Sequence, residues 1–327
     1  MLKQGAVVHG YRIVSRPTNA DAGKCLWAFA EKGDKQFFIK EFLDPKRPRK
    51  DSMGSPEHKR LMFARCEEFE RRHWSVIQRI KPNDIHAGNL VMAVDFFFEG
   101  ARYYKVTERL YPTRAQPHEL SSRRRTILLG TLADSLQLLH RLEIVHGDLK
   151  PQNVLLHQPE QSDLFVAKLI DFDDAYVSCS PPAREVIGGD VLYGAPEWVR
   201  YMRGDPNTGP GRLTPAVDMF AFGLIIHTYL TGALPGYSAR FETPAEAVNA
   251  GESLTFDNRL SPACTQLLSR LAAADPMRRP RIADVEPLLN ETDLAIAAAA
   301  PEKPASRLRI NMTGRPARAT EHQGRQR

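Results

Sequence analysis

Cysteine is scarce in this chain: Cys25, Cys66, Cys179 and Cys264 are scattered over 327 residues, with no C-x-x-C spacing. Neither a zinc knuckle nor a disulfide-stapled scaffold fits that pattern, and a reducing, cytoplasmic setting is expected. Long apolar runs are missing as well, since none approaches the ~20 residues that a membrane helix needs. The longest candidate, Met219 to Leu230, contains His227 and reads as a buried core helix. The opening MLKQGAVVHGYRIV holds no uninterrupted apolar stretch and no small-residue cleavage site, so neither a secretory leader nor a membrane association is expected. No repeat period is present. Excess charge of one sign is also lacking over most of the chain. The formal net charge is +6, but from Pro301 onward seven Lys or Arg face two Glu, which leaves the body nearly neutral. A nucleic-acid partner is therefore not expected, and the basic end reads as a solvated tail.

What remains is an ordinary globular composition, 42% hydrophobic and 26% charged, in a chain long enough for two lobes. Residues 11 to 43 alternate apolar and polar in the runs YRIV, LWAFA and QFFIKEF, with Lys32-Gly33-Asp34 as hairpin punctuation. From Pro56 to Ile80 the spacing turns helical, with Met62, Cys66, Phe69, Ile77 and Ile80 on one stripe. LVMAVDFFF and ARYYKVTERL, separated by Glu99-Gly100, make a second hairpin. The pattern predicts a small lobe over residues 1–109 with five antiparallel strands and one helix. A mainly helical large lobe follows over 110–290, and a patternless Ala-, Pro- and Arg-rich tail over 291–327 that is expected to be disordered. Within the large lobe, Arg124 to Leu142 forms an amphipathic helix leading directly into the segment that carries the chemistry.

That segment reads HGDLKPQNVLL over residues 146–156, and KLIDFDD follows at 168–174. Together they offer the parts of a phosphoryl-transfer site. Asp148 can accept the proton of an incoming hydroxyl, Lys150 is a fixed cation beside a travelling phosphate, and Asn153 and Asp171 are hard oxygen ligands. An amide and a carboxylate suit Mg²⁺, which takes its remaining ligands from nucleotide phosphates and water.

In these residues the chain resembles the eukaryotic-type (Hanks-type) Ser/Thr protein kinases, whose catalytic loop and metal-binding aspartate fall in this order. The DFDD segment and single-domain layout look closest to bacterial members. Three further segments are similar to the family: Tyr193-Gly194-Ala195-Pro196-Glu197, Asp218 in VDMFAFG, and Arg279 in DPMRRP. The resemblance implies an α+β bilobal fold, use of ATP and Mg²⁺, and protein Ser or Thr hydroxyls as acceptors. It also implies an ion pair between Glu197 and Arg279, and an Asp218 that anchors the catalytic-loop backbone. Lys40 in FFIK would hold the α and β phosphates and be held in turn by a glutamate of the adjacent helix. Among Glu67, Glu68 and Glu70, helical geometry favours Glu70. One turn later it places Trp74, where the family buries a side chain against the aromatic of the metal motif, whereas the other two place Arg71 and Arg72 there. The segment linking the lobes, with Val106, Thr107 and Glu108, is expected to border the adenine.

The chain departs from the family at several positions. The glycine-rich nucleotide loop is replaced by PTNADAGKC, in which only Gly23 remains and Thr18 and Asn19 are possible side-chain donors. Gly147 stands where an arginine often clamps a phosphorylated activation loop. Asp173 replaces the glycine of D-F-G, as a second metal-site carboxylate, a partner of the helix, or a solvated acidic turn. Asp190 replaces the threonine of the substrate-docking loop. Two other readings stand beside a protein kinase. One is a small-molecule phosphotransferase of the aminoglycoside or choline type, which shares HGDL and the IDFD-type motif. The other is a catalytically silent scaffold, which the degenerate glycine loop favours.

Overall fold

A computed structural model describes residues 1–20, 23, 25–49 and 55–297. The small lobe is an antiparallel sheet of six strands: β1 (Val7–Val8), β2 (Tyr11–Ile13), β3 (Cys25–Lys32), β4 (Lys35–Phe42), β5 (Ala93–Glu99) and β6 (Arg102–Glu108), in the order β1-β2-β3-β4-β6-β5. The strand not expected from sequence is β1. Its two residues are too few to show an alternation, and pairing with β2 creates it. Gly33 and Gly100 adopt positive φ at the tips of the two hairpins, a conformation that costs glycine no side-chain clash. Between β4 and β5 lies α1 (Pro56–Ile77), started by Ser55, whose side chain accepts from the backbone N–H of His58 at 3.1 Å. Its buried face carries Cys66, His73 and Val76.

Directly opposed residues of antiparallel strands share a face, so the register assigns the two sides of the sheet. Cys25, Trp27, Phe29, Phe38, Lys40, Phe42, Tyr103, Lys105 and Thr107 lie on the side that meets α1 and the large lobe. Ala28, Ala30, Ile39, Tyr104 and Val106 lie on the other side, closed over by Leu2, Val8, Tyr11 and Ile13.

The large lobe begins with α2 (Ser122–Arg141), whose Leu128, Leu132, Leu136 and Leu139 are buried as the amphipathic spacing requires. The short strands β7 (Ile144–Val145), β8 (Val154–His157), β9 (Val166–Leu169) and β10 (Tyr176–Val177) then form two antiparallel ladders, β8 with β9 and β7 with β10. The helices α3 (Pro196–Met202), α4 (Ala216–Thr231), α5 (Pro244–Asn249), α6 (Pro262–Leu271) and α7 (Ile282–Val285) complete the lobe. α4 is apolar nearly all round and runs through the core, ending at Gly232 with φ 83°. Residues 291–297, assigned by composition to the tail, instead pack on this lobe. Leu294 is buried in the core, and Ile296 bridges Leu260. The rest of the expected tail, 298–327, lies outside the described residues. Among the described residues no helix is long and apolar enough to cross a membrane.

Glu197 and Arg279 form a fully buried pair, with Nη1–Oε1 at 2.7 Å and Nη2–Oε2 at 2.8 Å. Nη1 also donates to the carbonyl of Ala216 at 2.7 Å and Nε to that of Ala273 at 2.9 Å, so four of the five guanidinium hydrogens are bonded. Removing one member of such a pair strands the other in a low-dielectric interior. Glu197→Ala is therefore expected to lower unfolding stability by about 3–5 kcal/mol. In urea denaturation, the apolar double replacement Glu197→Leu/Arg279→Met should recover much of that loss.

Candidate active site

β7 delivers the chain into the loop 146–153, and the first turn of α4 holds that loop. The buried carboxylate of Asp218 accepts the backbone N–H of His146 at 2.9 Å and of Gly147 at 3.1 Å, and it lies 3.0 Å from His140 Nε2. Asp148 is thereby fixed at the cleft with its carboxylate oriented by two neighbours. Asn153 Nδ2 donates to its Oδ2 at 2.8 Å and to its backbone carbonyl at 2.7 Å, and Lys150 Nζ lies 2.9 Å from Oδ2. Lys150 also approaches Asp190 Oδ2 at 3.6 Å. Burial works against the Lys150 ammonium, but the bond to Asp148 and the field of Asp190 outweigh it and raise its pKa.

The β8–β9 ladder sets Asn153 against Asp171. Val154 pairs with Leu169, and the N–H of Ile170 donates to the Asn153 carbonyl at 2.9 Å, so residues 153 and 171 sit at adjoining strand ends. Both amide hydrogens of Asn153 point at Asp148, which leaves its side-chain oxygen as the free hard donor. Asp171 adopts φ 62° and keeps its carboxylate half-buried at the cleft. Among the described residues no group of three or more His, Cys, Asp or Glu could hold a metal ion. One amide oxygen and one carboxylate nevertheless fit Mg²⁺ that arrives with a nucleotide, because phosphate and water oxygens fill its other positions.

Lys40 lies across the cleft on β4, buried, with Nζ 2.9 Å and 3.0 Å from the two carboxylate oxygens of Asp171 and 2.6 Å from Asp173 Oδ2. Burial alone would favour the neutral amine, yet the two aspartates raise its pKa. The structure does not bring Glu70 to Lys40. Glu70 pairs with Arg47 and accepts from the Tyr103 hydroxyl at 2.5 Å, at the margin of the sheet. Nor is Trp74 buried against the metal motif. It is 39% exposed with its edge on Phe96, because α1 is rotated to put Phe69 and His73 inward. His73 stacks on Phe96 at 4.9 Å, and its Nε2 comes within 3.9 Å of Asp173. Lys105 was not singled out from sequence. The alternation of β6 held the signal, since in RYYKVTE it shares a face with Tyr103 and Thr107. It is buried and paired with Asp173, and it lies 3.6 Å from Asp171. Burial opposes ionisation of Asp173, but Lys105 and Lys40 hold its carboxyl well below the usual range.

Beside Lys40 the same sheet face carries Trp27, Phe29 and Phe38, with Trp27–Phe38 ring centroids 5.3 Å apart. The Arg109 guanidinium covers Phe29 at 3.8 Å. Thr107 joins this face, and Glu108 is exposed. Val106, expected to border a nucleotide, points to the opposite side into the small-lobe core. Gly23 has φ 55° and open space around its Cα, while Asp21, Ala22 and Lys24 of the nucleotide-loop reading lie outside the described residues. The Thr18 hydroxyl is engaged locally, accepting from the N–H of Ala20 at 3.1 Å.

Two departures from the family pattern have local reasons, one steric and one in hydrogen bonding. Gly147 has φ 77°, and a Cβ there would stand 2.6 Å from the Asp174 carbonyl oxygen, so no arginine fits without moving the segment after the metal motif. Asp174 is enclosed beneath it, and burial followed by the fields of Asp148 and Asp173 pushes its carboxyl up to about 6. Asp190 accepts from the N–H groups of Leu192 at 2.8 Å and Tyr193 at 3.2 Å, shaping its own loop besides facing Lys150.

Comparison with known proteins converges on the same architecture. The family described as Protein kinase domain matches residues 70–287. The human Serine/threonine-protein kinase ULK3 is 30% identical over 210 residues, covering 64% of this chain and 40% of that protein. The Xenopus laevis ULK3 is 34% identical over 155 residues, or 47% and 31% of the two chains. Serine/threonine-protein kinase pkn3 of Myxococcus xanthus is 26% identical over 229 residues, or 66% and 40%. The chain thus spans well under half the length of these relatives. Since the family match runs from within α1 to residue 287, over the same loop, metal motif and buried ion pair that the geometry brings together, the chain belongs to the protein kinase family.

Proposed function

We propose that the protein transfers the γ-phosphoryl group of ATP to Ser or Thr hydroxyls of a protein substrate, with Mg²⁺ as cofactor. The carrying observation is the Asp148 carboxylate, held at the cleft by Asn153 and Lys150 and facing the same opening as Asp171 and Lys40. Asp148 would accept a hydrogen bond from the acceptor hydroxyl and orient it toward the γ-phosphate, taking its proton as the new P–O bond forms and the bond from the γ-phosphorus to the β–γ bridging oxygen breaks, with ADP leaving. Lys150 would sit against the transferring group, and Lys40 would hold the phosphates nearer the nucleoside. Asn153 and Asp171 would hold the metal, which when bound supplies charge neutralisation along the phosphate chain. Rate enhancement in such a site comes mainly from positioning and fixed charge. The aromatic face of Trp27, Phe29 and Phe38 would meet the adenine, with Thr107 and Glu108 at the lobe junction near residue 109. Residues 1–109 would then form the nucleotide-binding lobe and 110–290 the lobe that carries catalysis and substrate docking. Four free thiols, buried at Cys25, Cys66 and Cys264 and exposed at Cys179, are compatible with a reducing, cytoplasmic setting.

Lys150, the Glu197–Arg279 pair and the Asp218 anchor support a protein acceptor over a small-molecule one. A second reading, a silent binding module, draws on one observation: Arg109 lies over Phe29, where a base would stack.

Asp148→Asn should cut transfer of labelled phosphate from ATP to a generic protein acceptor by about 10²–10⁴-fold. ATP affinity should change little, as isothermal titration will show. Nucleotide binding has an independent readout. A ligand specific for the native state stabilises it by about 2.7 kcal/mol at a concentration 100 times Kd. ATP with Mg²⁺ is accordingly expected to raise the melting midpoint, and Asp171→Asn to abolish the Mg²⁺-dependent part of the rise. A flat midpoint at millimolar ATP would favour the silent module.

A further inference from the structure

The β4–β6 register sets Lys40 directly opposite Lys105, with both side chains on the inner face and both buried. Like charges in cross-strand positions repel, and two ammonium groups withdrawn from water require anions close by. α1 does not supply them. Its inward residue at this level is the imidazole of His73, and Glu70 is committed to Arg47 and Tyr103. The anions come from the segment entering the activation region. Asp171 takes Lys40 at 2.9 Å, and Asp173 lies between the two lysines, 2.6 Å from Lys40 and bonded to Lys105.

We propose that Asp173 is the residue that fixes Lys40 in its working position, in place of a glutamate of α1, with Lys105 as the balancing cation. This rests on the reading of Lys40 as the phosphate-holding lysine. Asp173 is then a positioning residue acting through Lys40. The departure at Asp173 and the buried Lys105 form one device: with glycine at 173 the second carboxylate would be missing and Lys105 would be left with Asp171 at 3.6 Å, and without Lys105 the carboxylate would be in excess. Labour is also divided between the two aspartates. Asp171 can turn toward a metal when nucleotide arrives while Asp173 keeps its hold on Lys40. The hold comes from the large lobe, and α1 reaches it through the His73 imidazole, 3.9 Å from Asp173, without supplying an acid.

The link can be read without any catalysis. Brief acetylation of the full-length protein with limiting acetic anhydride, mapped by mass spectrometry, should modify Lys40 several-fold faster in Asp173→Asn than in wild type. Glu70→Gln should leave Lys40 as protected as before, and Asp173→Ser replaces the asparagine variant if that one does not fold. In phosphotransfer assays Asp173→Asn should lose about 100-fold in kcat/KM for ATP, the order expected from a displaced phosphate-holding group. Glu70→Gln should stay within about twofold, as for a residue at the margin of the sheet. Lys105→Met/Asp173→Asn separates anchoring from mere neutralisation: anchoring predicts that activity stays low, whereas recovery to wild-type kcat/KM would overturn the proposal. Equal labelling of Lys40 in wild type and Asp173→Asn, or loss of protection in Glu70→Gln, would overturn it as well. A wild-type protein without phosphotransfer would overturn the kinase reading alone, because the labelling comparison still decides which acid holds Lys40.

Discussion

Two backbone N–H groups in a loop can be fixed by one buried carboxylate, provided that the carboxylate is itself carried by something that cannot move. Asp218 meets this condition, since α4 is buried on nearly all sides and the acid at its first turn has no route to water. Its bonds to His146 and Gly147 set the direction in which the chain leaves β7. Everything downstream follows from that direction. Asp148 faces the cleft, Asn153 reaches back to orient it, and the β8–β9 ladder returns Asp171 to the same opening. The helix interior thus positions the chemistry through a chain of short, directional contacts.

Between the lobes the governing constraint is charge in a poorly hydrated place. Lys40, Lys105, Asp171 and Asp173 form a nearly balanced cluster in which each group makes the ionisation of the others tolerable. The Glu197–Arg279 pair solves the same problem inside the large lobe, with two backbone carbonyls adding to the guanidinium's bonds. The difference lies in exposure. Asp171 keeps part of its carboxylate open to solvent, so one member of the cluster can exchange partners while the structural pair is sealed.

Much of the architecture was legible in order along the chain. The two hairpins announced themselves by alternation and glycine punctuation, and α2 by its leucine spacing. The catalytic loop and metal motif are local strings whose side chains must converge because β8, which follows the first, pairs with β9, which leads into the second. Glu70, Trp74 and Val106 show where such reading stops. Glu70 and Trp74 depend on the rotation of α1 about its own axis, which is set by how Phe69 and His73 pack against Phe42 and Phe96, and Val106 depends on which side of β6 faces the cleft. Strand β1 and the packing of Leu294 were hidden because each rests on a short stretch meeting a distant partner.

The amino-acid order alone determined the lobes' sequence of elements, the identity of the loop acids and bases, and the pairing of Glu197 with Arg279. The first two are encoded by local periodicity or by motifs whose parts lie close together in the chain, whereas the Glu197–Arg279 pair, 82 residues apart, followed only from the resemblance to the kinase family. Only the tertiary structure decided which acids meet Lys40 and why residue 147 is glycine. The first required the register that sets Lys40 against Lys105 from β6, and the second required the Asp174 carbonyl to come within reach of a missing Cβ. Both are contacts between segments far apart in sequence or folded back on each other, where the separation between atoms decides the chemistry and residue type alone does not.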